Sequence, residues 1–185
     1  MQIIAGSKRG TKLAMVADLS VRPTAHRTRE SLFNILQGGR VSADLQDAVV
    51  LDLFAGSGAL ACEALSRGAA QAFIVEKHHD AIAIIRQNVR RLGFEDRVKL
   101  SQSDCLKTSH WPHQAASIVF CDPPYDKGLA LPAIENFARL GAIAEGALIV
   151  IETRKSEQLA LPDHIIQLDQ RRYGMALLTF CRYQP

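Results

Sequence analysis

Two hydrophobic rhythms alternate along most of the chain. Short, nearly continuous apolar runs typical of buried strands are followed by segments whose apolar residues recur with the period of a helix that buries one face. The predicted strands are 48–54, 72–75, 97–100, 117–121 and 147–151, and the predicted helices are 59–67, 79–92 and 131–140. Strands that alternate with helices form a parallel sheet covered on both faces, so we expect a doubly wound, Rossmann-like α/β fold.

The end of the chain breaks this alternation. Two strand-like segments, 165–168 and 175–181, are separated only by 169–174, which leaves no room for a helix. We therefore expect a hairpin that adds an antiparallel strand to one edge of the sheet.

The first 40 residues predict a separate small arm. Extended segments at 3–5 and 13–16 flank a turn at 6–10, as in a hairpin. A helix capped by Thr24 is expected to follow and to end at about Gln37, before two glycines. Its buried side comprises Leu32, Phe33 and Leu36. We accordingly divide the chain into an arm, residues 1–40, and a main domain, residues 41–185.

The composition is that of one globular domain in a reducing compartment. The chain has 185 residues and a mass of 20.3 kDa, about the size of one domain. Its apolar runs fall far short of the roughly 18 residues that span a bilayer, and its start lacks the pattern of a secretory signal. The four cysteines have neither the density of a disulfide framework nor the spacing of a zinc site. We expect a cytoplasmic protein without a membrane segment, and a monomer, since nothing in the sequence calls for a dimer.

One short motif has the spacing of a pair of metal ligands. His110 and His113 are separated by two residues, but the sequence offers no third ligand nearby. We predict a surface loop there and no metal site.

The charge is concentrated in the arm. Residues 1–40 carry seven Lys or Arg and two acidic residues, a net charge of +5, whereas the rest of the chain sums to −2. The candidate binding residues are Lys8, Arg9, Lys12, Arg22, Arg27 and Arg29. A basic arm on a nearly neutral domain favours binding of a polyanion, with a merely solvated basic face as the alternative.

A glycine-containing turn follows the first predicted strand of the main domain. Gly56 and Gly58 permit the left-handed backbone of a tight turn that holds a cofactor against the start of a helix. With Ala61 the spacing also fits a dinucleotide fingerprint, so the glycines alone do not distinguish a nicotinamide dehydrogenase.

Three acidic residues near this turn sharpen the prediction. Glu76 ends the second strand, where a carboxylate can accept hydrogen bonds from ribose hydroxyls, and Asp104 follows the third strand, where it could meet an adenine edge. Asp52 lies in an otherwise apolar strand end, where a carboxylate is costly unless a cation compensates it or it braces the following helix. The cationic S-adenosylmethionine would do so, whereas the pyrophosphate of a dinucleotide would be repelled.

A second loop, Asp122-Pro123-Pro124-Tyr125, follows the fourth strand. Two consecutive prolines remove two N–H donors and stiffen the backbone, so the loop presents its carbonyls and the Asp122 carboxylate as acceptors. Such acceptors suit the exocyclic amine of a nucleobase, and Tyr125 supplies a face for base stacking. The pattern predicts amine methylation, although it selects neither guanine nor RNA.

These two loops together resemble an S-adenosylmethionine-dependent amino-methyltransferase, and the arm narrows the match. The segments 22–34, 51–60 and 63–69, beginning Arg22-Pro23-Thr24, are similar to the bacterial small-subunit ribosomal RNA guanine-N2 methyltransferase family. The resemblance extends from about Ile3 to Tyr125 and continues more weakly to the end of the chain.

The resemblance implies methyl transfer from S-adenosylmethionine to the 2-amino group of a guanine in 16S ribosomal RNA, at the position that the family's name gives as 966. The implied partner is 16S rRNA or an assembly particle of the small ribosomal subunit, with phosphates bound by the basic residues of the arm. The cofactor residues would be Asp52, Phe54, Gly56, Ser57, Gly58, Glu76 and Asp104. The catalytic residues would be Asp122, Pro123, Pro124 and Tyr125, and no metal is required.

Two other functions fit part of the pattern. A DNA adenine or cytosine amino-methyltransferase could use the same proline loop, but such enzymes usually need a target-recognition region for which this chain has little room. A non-catalytic RNA-binding assembly factor would keep the fold and fail to bind S-adenosylmethionine.

Overall fold

A central seven-stranded sheet carries the fold. The computed structural model describes residues 1–15, 23–38, 41 and 43–185, except for the side chains of 23–26. The strands are β1 (Val49–Leu53), β2 (Gln71–Glu76), β3 (Val98–Gln102), β4 (Ala116–Cys121), β5 (Ile143–Arg154), β6 (Ile165–Tyr173) and β7 (Ala176–Tyr183). The helices are α1 (Pro23–Gln37), α2 (Ala59–Ser66), α3 (His79–Leu92) and α4 (Ala130–Arg139), with a short 3₁₀ helix at Glu95–Arg97.

The strand order is β3-β2-β1-β4-β5-β7-β6. The first five strands are parallel, and β7 runs antiparallel between β5 and the outermost strand β6. The predicted doubly wound sheet and its terminal hairpin are therefore confirmed. The reversed strand itself, β7, lies one position in from the edge.

Alternate side chains of the central strands belong to two hydrophobic cores, one on each face of the sheet. Val50 and Ile118 belong to the core covered by the arm, α2 and α3, whereas Leu51 and Val119 belong to the core covered by α4. This period of two explains why the central strands are nearly continuous apolar runs: both of their faces are buried.

Two strands are longer than the apolar pattern predicts. β5 begins at Ile143 and passes a register irregularity between its first and later pairs with β4, near Gly146, whose φ is 74°. β6 continues to Tyr173 through exposed polar residues. An irregular strand and an edge strand both lack the continuous apolar run that marks a buried central strand.

The arm forms the predicted hairpin and helix. Ile3 N–H donates to the Thr11 carbonyl at 3.0 Å and Gly10 N–H to the Ile3 carbonyl at 2.9 Å. The helix α1 begins at Pro23, so Thr24 lies inside its first turn and the prediction of Thr24 as the preceding cap is wrong. Proline at the first helical position needs no N–H partner and already has a helical φ.

A buried carboxylate fixes the arm to the main domain. Glu63 of α2 is fully buried and accepts hydrogen bonds from Ile4 N–H at 2.8 Å, Ala5 N–H at 3.0 Å and Arg67 Nε at 2.7 Å. The buried residues of α1 share the core of the α2 face. The division of the chain at residue 40 remains a prediction, since 39, 40 and 42 lie outside the described residues.

Candidate active site

One cavity of about 640 Å³ opens where β1 and β4 end, and both predicted loops line it. β1 and β4 are adjacent parallel strands, so the segments that follow them emerge side by side at the carboxyl edge of the sheet, where α/β folds bind their ligands. Of the predicted site residues, those lining the cavity are Arg29, Asp52, Phe54, Gly56, Ser57, Glu76 and Asp122 to Tyr125.

The turn after β1 has a left-handed backbone at two positions that line the cavity. Phe54 has φ of 61° and Gly56 has φ of 57°, both in the left-handed region. Gly58, with φ of 72°, does not line the cavity; a Cβ there would lie 3.3 Å from Ile85 Cγ1, so it permits α2 to approach α3 closely. The turn therefore uses its two glycines differently: one faces the cavity and one allows helix packing.

Asp52 occupies the floor of the cavity and also caps α2. Its side chain is buried, and its Oδ2 accepts a hydrogen bond from Ala61 N–H at 3.1 Å. Burial, with a smaller contribution from the Glu76 carboxylate, raises the pKa of Asp52 to about 7 against the lowering effect of the Ala61 N–H bond. The carboxyl therefore braces α2 and also belongs to the cavity lining.

Glu76 is held in place by backbone donors. Its Oε2 accepts from Gly56 N–H at 2.9 Å, and its Oε1 accepts from Lys77 N–H at 2.7 Å and His78 N–H at 2.9 Å. These bonds fix the carboxylate at the end of β2 on the cavity wall.

Asp104 is not part of the cavity lining. Its Oδ1 instead accepts Leu106 N–H at 3.0 Å, which closes a local turn, and the neighbouring residues Ser103 and Cys105 line the cavity. The prediction that the Asp104 side chain faces the cofactor site is therefore not supported by its position.

The loop after β4 is braced by side chains from the end of β5. Tyr125 Oη donates to Glu152 Oε1 at 2.6 Å, and Arg154 Nη1 forms an ion pair with Asp126 Oδ2 at 2.7 Å. Pro123 is buried and Pro124 exposed. Glu152, which also lines the cavity, was missed by the sequence analysis. Glu152 follows the apolar run of β5 as Glu76 follows that of β2, and this position at the end of an apolar run could have identified it.

Asp122 faces solvent inside the cavity but lies deep within the concave surface. Partial desolvation there, together with the carboxylates of Glu152 and Asp52, raises the pKa of Asp122 well above its usual range. Asp122 is therefore close enough to two other carboxylates of the cavity to be affected by their charges.

The arm contributes one wall of the cavity through Thr28, Arg29 and Leu32 of α1. Arg29 is buried, and its Nη2 donates to the Gln2 carbonyl at 2.6 Å. This burial does not support the prediction that Arg29 binds phosphate together with the exposed basic residues of the arm. Burial lowers the pKa of Arg29, with Glu63 opposing the shift.

The other basic residues of the arm are distributed over its surface. Arg9, Lys12 and Arg27 are exposed, Lys8 is half-buried, and Arg22 lies outside the described residues. Lys8 N–H donates to Ser66 Oγ at the end of α2, so the tip of the hairpin points away from the cavity. A ligand that contacts both the tip and the cavity must therefore extend along the arm.

Two kinds of feature are absent from the described residues, a metal-ion site and a membrane-spanning helix. They contain no group of three His, Cys, Asp or Glu side chains placed to hold a metal ion. None of the helices described has the length and apolar character needed to cross a membrane. His113 stacks on Phe73 with ring centroids 4.7 Å apart.

The whole chain matches known proteins. The family described as "Conserved hypothetical protein 95" matches residues 1–182. "Ribosomal RNA small subunit methyltransferase D" of Haemophilus influenzae is 34% identical over 100% of this chain and 93% of its own length. The Escherichia coli protein of the same name is 38% identical over 83% of this chain and 74% of its own length.

Solved structures of other proteins are also similar to this chain. The structure of yhhF from Escherichia coli has a TM-score of 0.84 and 31% identity, covering 100% of this chain and 98% of its own. The N-methyltransferase NodS from Bradyrhizobium japonicum, solved with S-adenosyl-L-homocysteine, has a TM-score of 0.67 at 15% identity over 91% of this chain and 92% of its own, which shows the shared fold. The chain therefore belongs to the family described as conserved hypothetical protein 95, and it is a relative of the proteins named ribosomal RNA small subunit methyltransferase D.

Proposed function

We propose that this protein is an S-adenosylmethionine-dependent methyltransferase that modifies the 2-amino group of a guanine in 16S ribosomal RNA, at the position the family gives as 966. The observation that carries the proposal is the single cavity shared by the turn after β1 and the Asp122–Tyr125 loop. The names of the relatives favour ribosomal RNA over DNA as the substrate.

The chemistry of the cavity wall fits S-adenosylmethionine better than a dinucleotide. The Gly56 and Ala61 amides, which a pyrophosphate would need, already donate to Glu76 and Asp52. What remains for a ligand is a set of carboxylate acceptors beside the apolar side chains of Phe54 and Leu60. Such a wall attracts a sulfonium cation and ribose hydroxyls and repels phosphate.

The roles of the residues follow from this fit. Asp52 would compensate the positive charge of the ligand, Glu76 would accept from the ribose hydroxyls, and Phe54, Gly56 and Ser57 would shape the remaining wall. When bound, S-adenosylmethionine would supply an electrophilic methyl group to the N2 lone pair; the electron pair of the broken carbon–sulfur bond would stay on sulfur, and the amine would release one proton.

The target half of the cavity, lined by Asp122 to Tyr125, would position the amine for this transfer. Asp122 and the Pro123 carbonyl would accept the two amine hydrogens. This arrangement directs the nitrogen lone pair toward the cofactor half of the cavity, which is lined by Asp52, Phe54 and Glu76. The raised pKa of Asp122 also makes its carboxylate a better acceptor for the released proton. Tyr125 would provide a stacking face for a base that has left its helix, at a cost of a few kcal/mol that a strained RNA loop reduces.

The exposed arginines and lysines of the arm would hold the RNA. Arg9, Lys12 and Arg27 are exposed for contact with phosphates, which position a nucleic acid without selecting its sequence. Because α1 also lines the cavity, RNA held by the arm would lie close to the site of transfer.

The test is to identify the product. The protein is incubated with labelled S-adenosylmethionine and either bare 16S rRNA or small-subunit particles, and the RNA is digested to nucleosides. We expect label in N2-methylguanosine. Label in N6-methyladenosine or N4-methylcytidine would refute the assignment, and absence of both transfer and calorimetric cofactor binding would favour the non-catalytic assembly factor.

A further inference from the structure

Two carboxylates lie side by side at the target end of the cavity. Cys121 of β4 pairs with Ile151 of β5, so the residues that follow them, Asp122 and Glu152, lie at neighbouring positions where β4 ends. Both line the cavity, and the charge of Glu152 raises the pKa of Asp122. The cavity therefore presents two adjacent acceptors where a single one would suffice to hold an amine.

The Glu152 carboxylate has a fixed orientation. Tyr125 Oη donates to its Oε1 at 2.6 Å, and the two residues are 27 positions apart in the chain. A carboxylate has two oxygens and about four acceptor positions, so holding Tyr125 is compatible with accepting a hydrogen bond from a ligand. The same contact places the stacking face of Tyr125 next to the Glu152 oxygens.

Guanine is the base whose hydrogen-bonding edge matches two adjacent acceptors. Its N1–H lies next to its 2-amino group, so that edge presents two neighbouring donors. Adenine and cytosine instead present a ring nitrogen with a lone pair next to their amino group. That lone pair would face a carboxylate oxygen, and the resulting repulsion and unpaired acceptor disfavour both bases.

We propose that Glu152 selects guanine by accepting its N1–H, while Asp122 holds the 2-amino group. This inference rests on the proposed function and adds the residue that determines which base is modified. Glu152 is a specificity-determining residue in this account, because the transfer itself takes place at the amine beside Asp122.

The test changes a hydrogen-bonding group on each side of the proposed contact, N1 of the target base and the side chain of residue 152. Small-subunit particles are reconstituted with rRNA carrying either guanine or 2-aminopurine at the target position. 2-Aminopurine keeps the 2-amino group but has a lone pair at N1. Glu152→Gln removes the charge at nearly constant size and introduces an amide that can donate to that lone pair. Tyr125→Phe removes the hydroxyl that orients Glu152 and serves as the matched control for loss of bracing.

We expect wild-type protein to prefer guanine and Glu152→Gln to reduce the ratio of kcat/KM for guanine over 2-aminopurine by about tenfold or more, the scale of one well-placed base contact. Tyr125→Phe should lower turnover while leaving this ratio close to that of the wild type. The fluorescence of 2-aminopurine, which rises when the base leaves its stack, gives a binding measurement independent of turnover. In that assay Glu152→Gln should bind the 2-aminopurine particle more tightly than wild type.

The outcomes separate this inference from the proposed function. If wild-type protein does not methylate the guanine particle, the proposed function fails. If it does so but the Glu152→Gln ratio stays at the wild-type value, or Tyr125→Phe changes the ratio equally, Glu152 only braces the loop and the inference is overturned. Should Glu152→Gln not fold, the wild type alone decides. Equal rates for the guanine and 2-aminopurine particles, with equal binding when the guanine particle competes against the fluorescent 2-aminopurine particle, would overturn the inference. A wild-type preference for guanine in both measurements would support it.

Discussion

The two halves of the cavity are held together by different kinds of bonds. In the cofactor half, backbone N–H groups fix both carboxylates: Ala61 donates to Asp52, nine positions earlier, and Gly56 donates to Glu76, twenty positions later. In the target half, side chains make the contacts, with Tyr125 bound to Glu152 and Asp126 to Arg154 across 27 and 28 positions.

This difference indicates how each half tolerates change. The cofactor half is a product of the strand-turn-helix backbone, so most substitutions around it leave its shape intact. The target half depends on individual side chains of β5 that brace the loop after β4. We therefore expect cofactor binding to be robust and base selection to be easily altered, and the following predictions test that separation.

The largest effect is expected for Asp122→Ala. The variant removes an acceptor for the target amine but none of the contacts assigned to the cofactor, so methyl transfer should fall by about 100-fold or more, the scale seen when one preorganised catalytic contact is lost. Cofactor affinity, measured by calorimetry, should remain close to the wild-type value. Single-turnover transfer to the RNA substrate gives the rate.

The matched control is Asp126→Asn in the same loop. Asp126 is exposed, its ion pair with Arg154 is open to solvent, and asparagine tolerates its left-handed φ of 58°, so the substitution should cost little stability and little activity. Equal losses in both variants would mean that the loop is simply disrupted and that Asp122 has no special role.

A smaller effect is expected for Asp52→Asn in the cofactor half. The amide retains an acceptor for Ala61 N–H but removes the charge that would compensate the sulfonium, so cofactor affinity should fall about tenfold, or about 1.4 kcal/mol. Asp104→Asn is the control, because the Asp104 side chain closes a local turn and does not line the cavity. Titration calorimetry of both variants decides: a loss as large in Asp104→Asn would restore the original sequence prediction for that residue.

Local patterns predicted the cofactor half because its components are contiguous. A buried strand, a glycine turn and a helix follow one another from Val49 to Ser66, and the acid at the end of β2 lies at the usual distance along the chain. The direction of a loop side chain is not encoded in this way. Asp104 follows β3 as expected, yet its carboxylate bonds to Leu106 N–H within its own turn.

The contribution of Glu152 required the three-dimensional arrangement, whereas the burial of Arg29 could have been inferred from the sequence. Glu152 joins the site because β5 pairs with β4, a contact that no local pattern reveals. Arg29 precedes Leu32 and Phe33 by three and four positions, so helical periodicity alone places it on their buried face. Because of its positive charge, Arg29 was predicted to bind phosphate, but its side chain is buried close to the charge of Glu63.

A final comparison tests the ionisation state of Asp52 in the absence of any ligand. Because burial raises the pKa of Asp52 to about 7, the folded protein retains a proton that the unfolded chain has lost above about pH 4. The free energy of unfolding should therefore decrease as the pH rises from about 4 to about 7, since folding then requires either an unfavourable buried charge or uptake of a proton. Asp52→Asn has no such group, so its Tm relative to wild type should increase across that range by about 10 °C, equivalent to about 3 kcal/mol. Calorimetric unfolding of both proteins at several pH values measures this difference. Saturating S-adenosylmethionine should narrow it at pH 8 by about 1.4 kcal/mol, the expected tenfold difference in cofactor affinity, because the ligand stabilises the ionised carboxylate. Parallel curves for the two proteins would show that the Asp52 carboxyl remains ionised without a ligand and that the helix-bracing bond to Ala61 compensates its charge.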